Sequence, residues 1–530
     1  MRFLRHAAAV LACIATPIRA AFSLTESSST YVVDTNAGLV FTVQRASCDI
    51  TSILYNGVQM QDQSKYSHIG SGLGSVTASW TKIGNYYKIT CATSTLTQYI
   101  VGKYNHAAIH LATYTTAEPS IGELRFIARL NKSVLTTTSI VAAEVNGGSV
   151  VEGSDVFLVS GQTRSKFYSS RPFIDDHVHG VSGSGYAAWM VVPGLGSRDY
   201  GFELCSGGPF FRDIDNQGSA QQELYFYMNS GHMQTEAYRQ GLHGPYFIEF
   251  NTGSTPSADY DASFWESLSV SGLTTFANRG YVTGTVSGIP SAYNSYITVG
   301  FSNSAAQYWV RADSSTLKFT SPKMKPGTYT MTLYKMELEV KTQSVTVSAG
   351  STTTSNIASA ESTPTTIWQI GEFDGTPRGF LNADLIETMH PSDSRMHDWV
   401  RPTFTLSQGA AYFPMALFKD VGTISISFSL TSAQIGARTL RIAVTSSFAG
   451  GRPVPTIGSW TGATPAAPTA IDSRGVTRGT WRGYNISYTW SIPSGILVTG
   501  YQTLTIAVAS GSSGTTFLSP NFVFDALSLY

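Results

Sequence analysis

ELYFYMNSGH, residues 223–232, names its own secondary structure through its alternation. In an extended chain successive side chains point to opposite faces. Leu224, Phe226 and Met228 therefore fall on one side, and Tyr225 and Tyr227 on the other. The pattern predicts a strand over Glu223–Asn229 with one core face and one face of two phenols. A turn at Asn229-Ser230-Gly231 follows, and then His232. The second face reads either as a tyrosine ladder on a sandwich surface or as a binding wall with a titratable group at its end.

The same grammar recurs. GLVFTVQ (38–44), YYKITCAT (86–93), AAIHLATYT (107–115), ELRFIARL (123–130) and AAWMVVPG (187–194) are short apolar runs rich in β-branched or aromatic residues. Gly, Ser and Asn separate such runs, which is how strands and their turns are written. Long helical periodicity is nearly absent; the best helix candidate is DASFWESLSV, opening at Asp261. The fold class is all-β. With 27 Tyr, 27 Phe and 9 Trp among many neutral hydroxyls, the chain has the side chains that stack on and hydrogen-bond to carbohydrate. Most of those rings are expected simply to fill β cores.

A chain of 530 residues is too long for one ordinary domain. Residues 21–272 run without an obvious linker and read as one large β-super-sandwich. Residues 273–360 then change texture. RGYVTGTVSG through QSVTVSAGSTTT (279–354) holds seven short strands, with a Pro326-Gly327 turn, as in a fibronectin type III-like sandwich. A Ser/Thr-rich linker lies between Ser348 and Thr366. Residues 361–530 read as a jelly-roll sandwich of the carbohydrate-binding-module type. In its closing strand Phe522, Phe524 and Ala526 alternate with Val523, Asp525 and Leu527, leaving Asp525 as a cation ligand or an ordinary turn or edge acid.

Residues 1–20, MRFLRHAAAVLACIATPIRA, have the basic start, short apolar run and small-residue end of a cleaved signal peptide. No second apolar run reaches the ~18 residues of a membrane span, so a secreted, extracellular protein without a membrane partner is expected. Loss of Cys13 with the leader leaves Cys48, Cys91 and Cys205. In an oxidising compartment Cys48 is expected to pair with Cys91, and Cys205 to stay free and buried. Asn131-Lys132-Ser133 and Asn485-Ile486-Ser487 are glycosylation sequons. A formal net charge of zero with 13% charged residues gives no reason to expect nucleic acid as a partner.

Several familiar chemistries are missing from the motifs: zinc-ligand spacing, HExxH, a phosphate loop and a nucleophile elbow. DIDNQG (213–218) resembles half a calcium loop but lacks the later acidic ligand. Asp175-Asp176 and Asp213/Asp215 are the carboxylates a glycosidase would use. Adjacent acids in an extended segment face opposite ways, so Asp175 and Asp176 cannot both address one bond there. His177 and His179 would share a strand face but lack a visible third metal ligand. His243 is expected to make a structural hydrogen bond. Lys166 is the only lysine between Lys132 and Lys318, either a solvated turn residue or a desolvated amine suited to act as a base.

GELRFIARL, GQTRSKFYSS, DYGFELCSGGPFFRDI, ELYFYMNSGH and RQGLHGPY, with the order of the three β units, resemble the rhamnogalacturonan endolyases of the fourth polysaccharide lyase family. The resemblance covers essentially all of the mature chain. It implies β-elimination on rhamnogalacturonan I, with removal of the galacturonate C5 proton and cleavage of the linkage at O4. It implies Lys166 and His232 as the catalytic pair, with either one the base, and Tyr225, Tyr227 and Arg125 as substrate-binding residues. Arg129, four residues on, is the alternative to Arg125, and strand parity cannot separate them. No cofactor is expected for catalysis, a structural calcium ion could bind, and a monomer is expected. A non-catalytic carbohydrate-binding protein and a carboxylate-dependent glycoside hydrolase are the competing functions.

Overall fold

The computed structural model describes residues 22–117, 123–138, 148–152, 155–165, 171–183, 185–193, 207–218, 220–362, 364–400, 403–471 and 474–530. The expectations for the leader 1–20, for Lys166 and for Cys205 fall outside these residues. The rest is all-β, and each run quoted above forms a strand: Leu39–Gln44, Tyr86–Ala92, Ala108–Thr115, Glu123–Leu130 and Tyr186–Val191.

In the first unit an eight-stranded sheet is faced by a five-stranded and a four-stranded sheet. Phe41 and Ile53 of the five-stranded sheet, Ile100 and Leu111 of the eight-stranded one, and Phe126 and Phe226 of the four-stranded one share a single core. Burying each such side chain contributes roughly 1.5–3 kcal/mol. The other face of the large sheet is covered by the segment that follows Asp261. Only Ser263–Leu268 is helical there, as a 3₁₀ turn whose Phe264, Trp265 and Leu268 pack on Tyr99, Val101 and Leu242. It stops at Ser269, whose φ of 51° is left-handed.

Cys48 and Cys91 form the expected disulfide. Only Cys91 lies on a strand; Cys48 occupies the turn between Leu39–Gln44 and Ile50–Tyr55, in a left-handed conformation. A small sheet of Ser149–Glu152, Val156–Val159 and Gln162–Ser165 stands apart, its strands pairing only with one another among the described residues.

The second unit faces two sheets across its own core of Val282, Val299, Phe301, Met331 and Leu333. Pro326-Gly327 opens its long hairpin, Gly327–Lys335 with Leu338–Val347. The third unit is a sandwich in which Asn521–Leu529 lies between Trp368–Gly371 and Arg438–Phe448. All nine residues of that closing strand are buried, which corrects the reading of Asp525 as a turn or edge acid. Asp525 Oδ1 accepts the backbone N–H groups of Asp374 and Gly375 at 3.0 and 2.8 Å, satisfying a loop that crosses the strand. Burial, with Asp374 nearby, pushes the Asp525 carboxyl up to about 7.

Candidate active site

Strand Gln222–Ser230 pairs antiparallel with Glu123–Leu130, setting Arg129 opposite Glu223, Ile127 opposite Tyr225 and Arg125 opposite Tyr227. The register then slips, so that Leu124 faces Asn229 and Met228 has no opposite residue. Such a bulge bends the strand and re-aims the side chains beyond it. It lies just before Ser230, whose Oγ accepts the His232 N–H at 2.9 Å.

The phenol face is not an open wall, because every residue of Gln222–Ser230 is buried. Tyr225 and Tyr227 stack with centroids 5.7 Å apart and planes 17° from parallel. The guanidinium of Arg125 sits 5.7 and 5.5 Å from the two ring centroids. The reason lies in the pairing: the long side chains of the neighbouring strand share this face and cover the rings. Tyr225 donates its hydroxyl to Glu223 Oε2 at 2.7 Å, and Tyr227 accepts from Arg125 Nη1 at 2.8 Å. Burial, together with Glu223 for Tyr225 and Asp213 for Tyr227, pushes both phenols well above their usual range, so both are neutral.

Charge concentrates at the bulged end. Glu123 forms an ion pair with Arg125, and its other oxygen lies 2.9 Å from His232 Nε2. The second ring nitrogen, Nδ1, lies 3.2 Å from Asp213 Oδ1. Both nitrogens therefore face carboxylate acceptors, which holds a proton on each. Burial pushes the imidazole down, but the charge and hydrogen bond of Asp213, with those of Glu123, raise it to about 10. Burial likewise pushes the Glu123 carboxyl up, and His232, Arg125 and Arg478 outweigh it and hold it below its usual value. Arg125 loses some basicity to burial and regains more from Tyr227, Glu123 and Tyr225, ending above its usual range. Its buried Nε finds no acceptor among the described residues.

Arg129 belongs to a different network. Its Nε lies 3.2 Å from Glu223 Oε1, and its Nη1 donates to His68 Nε2 at 2.7 Å. Since arginine only donates, His68 carries its proton on Nδ1, which faces Asp49 Oδ1 at 3.2 Å. Of the two arginines, Arg125 is the one tied to His232 through a shared partner.

Beneath the strand lies a second histidine–carboxylate pair. His179 Nδ1 is 3.0 Å from Asp176 Oδ2, and Nε2 donates to the Tyr225 carbonyl at 2.8 Å. Asp176, His179 and Asp215 bring ligand-type atoms within 4.8 Å of one another. A metal needs a ring lone pair, and both His179 nitrogens carry protons toward acceptors, so the trio fits a buried ion pair better than a metal site. Burial lowers His179, and Asp176 and Asp215 outweigh it, raising it to about 9. In the DIDNQG stretch two oxygens accept backbone N–H groups. Asp213 Oδ1 accepts the Ile214 N–H at 2.7 Å, and the Asp215 carbonyl accepts the Tyr225 N–H at 2.9 Å.

Asp175 and Asp176 do separate jobs, for a reason other than alternation. They lie in a turn, where Asp175 pairs with Arg311 at 2.8 Å while Asp176 turns inward. His243 lies on Gly241–Asn251 in the eight-stranded sheet, and burial, with Arg239, lowers it to about 3. The structure thus gathers Arg125, Tyr225, Tyr227 and His232, and leaves His243 on a different sheet.

Sequence reasoning missed Glu123 and Glu223 and treated Asp213 only as a hydrolase acid or as part of half a calcium loop. Period 2 could have found the first two: Glu123 precedes Arg125 by two, and Glu223 precedes Tyr225 by two. Asp213 reaches His232 from a loop, where spacing carries no signal.

Three family models match the chain: "Rhamnogalacturonan lyase B, N-terminal" over residues 22–272, "Polysaccharide lyase family 4, domain II" over 278–355 and "Polysaccharide lyase family 4, domain III" over 366–529. Rhamnogalacturonate lyase A of Aspergillus aculeatus is 54% identical over 518 residues, covering 96% of each chain. Rhamnogalacturonate lyase A of Emericella nidulans is 53% identical over 518 residues, again 96% of each. A probable rhamnogalacturonate lyase A of Aspergillus terreus is 54% identical over 511 residues, 95% of this chain and 94% of its own. On matches of this extent and identity, the chain belongs to polysaccharide lyase family 4, among the rhamnogalacturonate lyases.

Proposed function

We propose that the chain is a secreted rhamnogalacturonan endolyase that cuts rhamnosyl-(1→4)-galacturonosyl bonds of rhamnogalacturonan I by β-elimination. A base takes the galacturonate C5 proton, that electron pair forms the C4=C5 double bond, and the C4–O4 bond breaks. O4 departs with rhamnose and takes a proton from an acid. The products are a new reducing end and a 4,5-unsaturated uronate at a new non-reducing end.

The observation that carries this reading is His232, held doubly protonated between Glu123 and Asp213. An imidazolium can give a proton to the leaving O4 and cannot serve as the base. That favours His232 as acid and Lys166, four residues after Gln162 in GQTRSKFYSS, as base. Arg125 supplies a fixed positive charge against the uronate carboxylate, whose charge rises as the enolate forms. Tyr225 and Tyr227 act first on Arg125, both rings lying beneath it and Tyr227 accepting its N–H, so they position the cation that meets the sugar.

Absorbance during digestion of rhamnogalacturonan I tests the reaction, because only elimination makes a conjugated uronate. Wild type should generate it, and Lys166→Ala and His232→Ala should each lose about 10²–10⁴-fold in rate. Reducing ends without absorbance would mean hydrolysis instead, and binding with neither signal would mean a carbohydrate-binding protein.

A further inference from the structure

The small sheet of Ser149–Glu152, Val156–Val159 and Gln162–Ser165 ends one residue before Lys166. Among the described residues it shares no ladder with the other sheets of its own unit. Its side-chain ties run instead to the C-terminal sandwich. Gln162 Nε2 donates to the Ser392 carbonyl at 2.8 Å, and Ser392 Oγ donates to the Thr163 carbonyl at 2.8 Å. Glu152 pairs with both Arg474 and Arg478, and Arg478 also reaches Asp155 at 3.2 Å.

The same stretch of the C-terminal sandwich grips the loop that follows His232. Arg482 pairs with Glu236. Met233 packs on Gly475, where an added Cβ would lie 3.1 Å from its Cε. Gly475 and Arg478 belong to one buried 3₁₀ turn, Gly475–Arg478, which joins the two grips. Arg478 also helps hold Glu123, the partner of His232, in its ionised form.

We infer that residues 474–482 are a positioning clamp for elimination: Arg478, through Glu152, sets the small sheet whose last strand leads to Lys166, while Arg482 and Gly475 set the loop of His232. The C-terminal sandwich thus takes part in orienting the reacting groups, whatever polysaccharide it also binds. The inference rests on Lys166 and His232 being the reacting pair. A misplacement of about 1 Å from a distant change can cost about 10²-fold in rate.

The test compares wild type, Arg478→Lys, Arg478→Met and the double variant Glu152→Gln/Arg478→Met in the full chain. The double variant removes the Glu152–Arg478 pair as a whole and leaves one charge of each sign, on Arg474 and Asp155. Two readouts are needed: kcat and KM from uronate absorbance, and amide hydrogen exchange over Gln162–Ser165. The expected result for the double variant is a loss of about 10–100-fold in kcat, KM within about threefold, and faster exchange at Gln162–Ser165. Arg478→Lys should fall between, since an ammonium cannot reach Glu152 and Asp155 with one planar fork. Unchanged exchange in a folded variant would overturn the clamp, as would faster exchange with wild-type kcat. A wild-type chain that binds the polysaccharide but makes no unsaturated uronate would instead overturn the lyase reading, and the exchange readout would still decide whether Arg478 holds the sheet.

Discussion

Glu123 joins Arg125 and His232 through its two carboxylate oxygens: one pairs with the guanidinium, and the other lies 2.9 Å from the imidazole. A single side chain therefore links the cation proposed to meet the uronate to the acid proposed to release the leaving group. Replacing it by Gln should keep the shape and remove the charge. Because His232 is raised to about 10, the protonated acid persists through neutral pH and is lost as pH rises through that value. Its contribution to stability follows the same sign, complete below the ordinary histidine value and lost as pH rises through about 10. Glu123→Gln should move the alkaline limb of the kcat profile down by roughly one to two pH units. A limb that stays in place would show that Asp213 alone sets the acid.

Arg125 and Arg129 are separated by their partners, and kinetics should separate them too. Arg125→Met should cost about 10²–10³-fold in kcat, and Arg125→Lys should recover only part, because an ammonium cannot both meet Glu123 and lie over the stacked phenols. Arg129→Met should lose much less, since its bonds run to Glu223 and His68 and not to His232. Equal losses at the two positions would contradict this assignment.

Asp176 and His179 form a buried pair that also holds the Tyr225 carbonyl. Asp176→Asn should destabilise the chain by about 3–5 kcal/mol, because it removes the hydrogen-bonded counter-charge of a buried imidazolium and leaves only Asp215 near it. The charge on His179 stabilises the fold fully below its ordinary value and is lost as pH rises through about 9. Urea denaturation should therefore show the gap between variant and wild type narrowing above that pH.

Asp525 predicts the opposite outcome. Its carboxyl is raised to about 7, so the fold favours the neutral form and loses stability as pH rises through that value. Asp525→Asn keeps an oxygen for the two backbone N–H groups and removes the charge. It should raise the melting temperature of the C-terminal sandwich by a few degrees at about pH 8 and change it little at about pH 5. A loss at both would mean that the ionised carboxylate is needed.

The strands were legible because alternation is a local property. Leu224, Phe226 and Met228 could be assigned to the core from three positions alone. The phenol face could not be read as covered, because its cover comes from Arg125, about a hundred residues earlier in the chain. Asp525 was misjudged for a related reason: alternation says which face a residue takes, but not whether a second layer lies beyond that face. The bulge at Met228 was invisible because it depends on the partner strand. Asp213 reaches the site from a loop and Arg478 from a short 3₁₀ turn, where residue type and spacing say little about position.

The pair Glu152–Arg478 joins residues 326 apart in the chain. During synthesis the ribosome makes the sheets of the first unit long before it reaches Arg478. A nascent or truncated chain ending ahead of that residue would have its central β-sandwich but not the contacts that fix the strand leading to Lys166. Competence would then arrive late and nearly all at once, when the last sandwich docks onto the first. A protease that removed the C-terminal sandwich would silence the chemistry as well as any binding there.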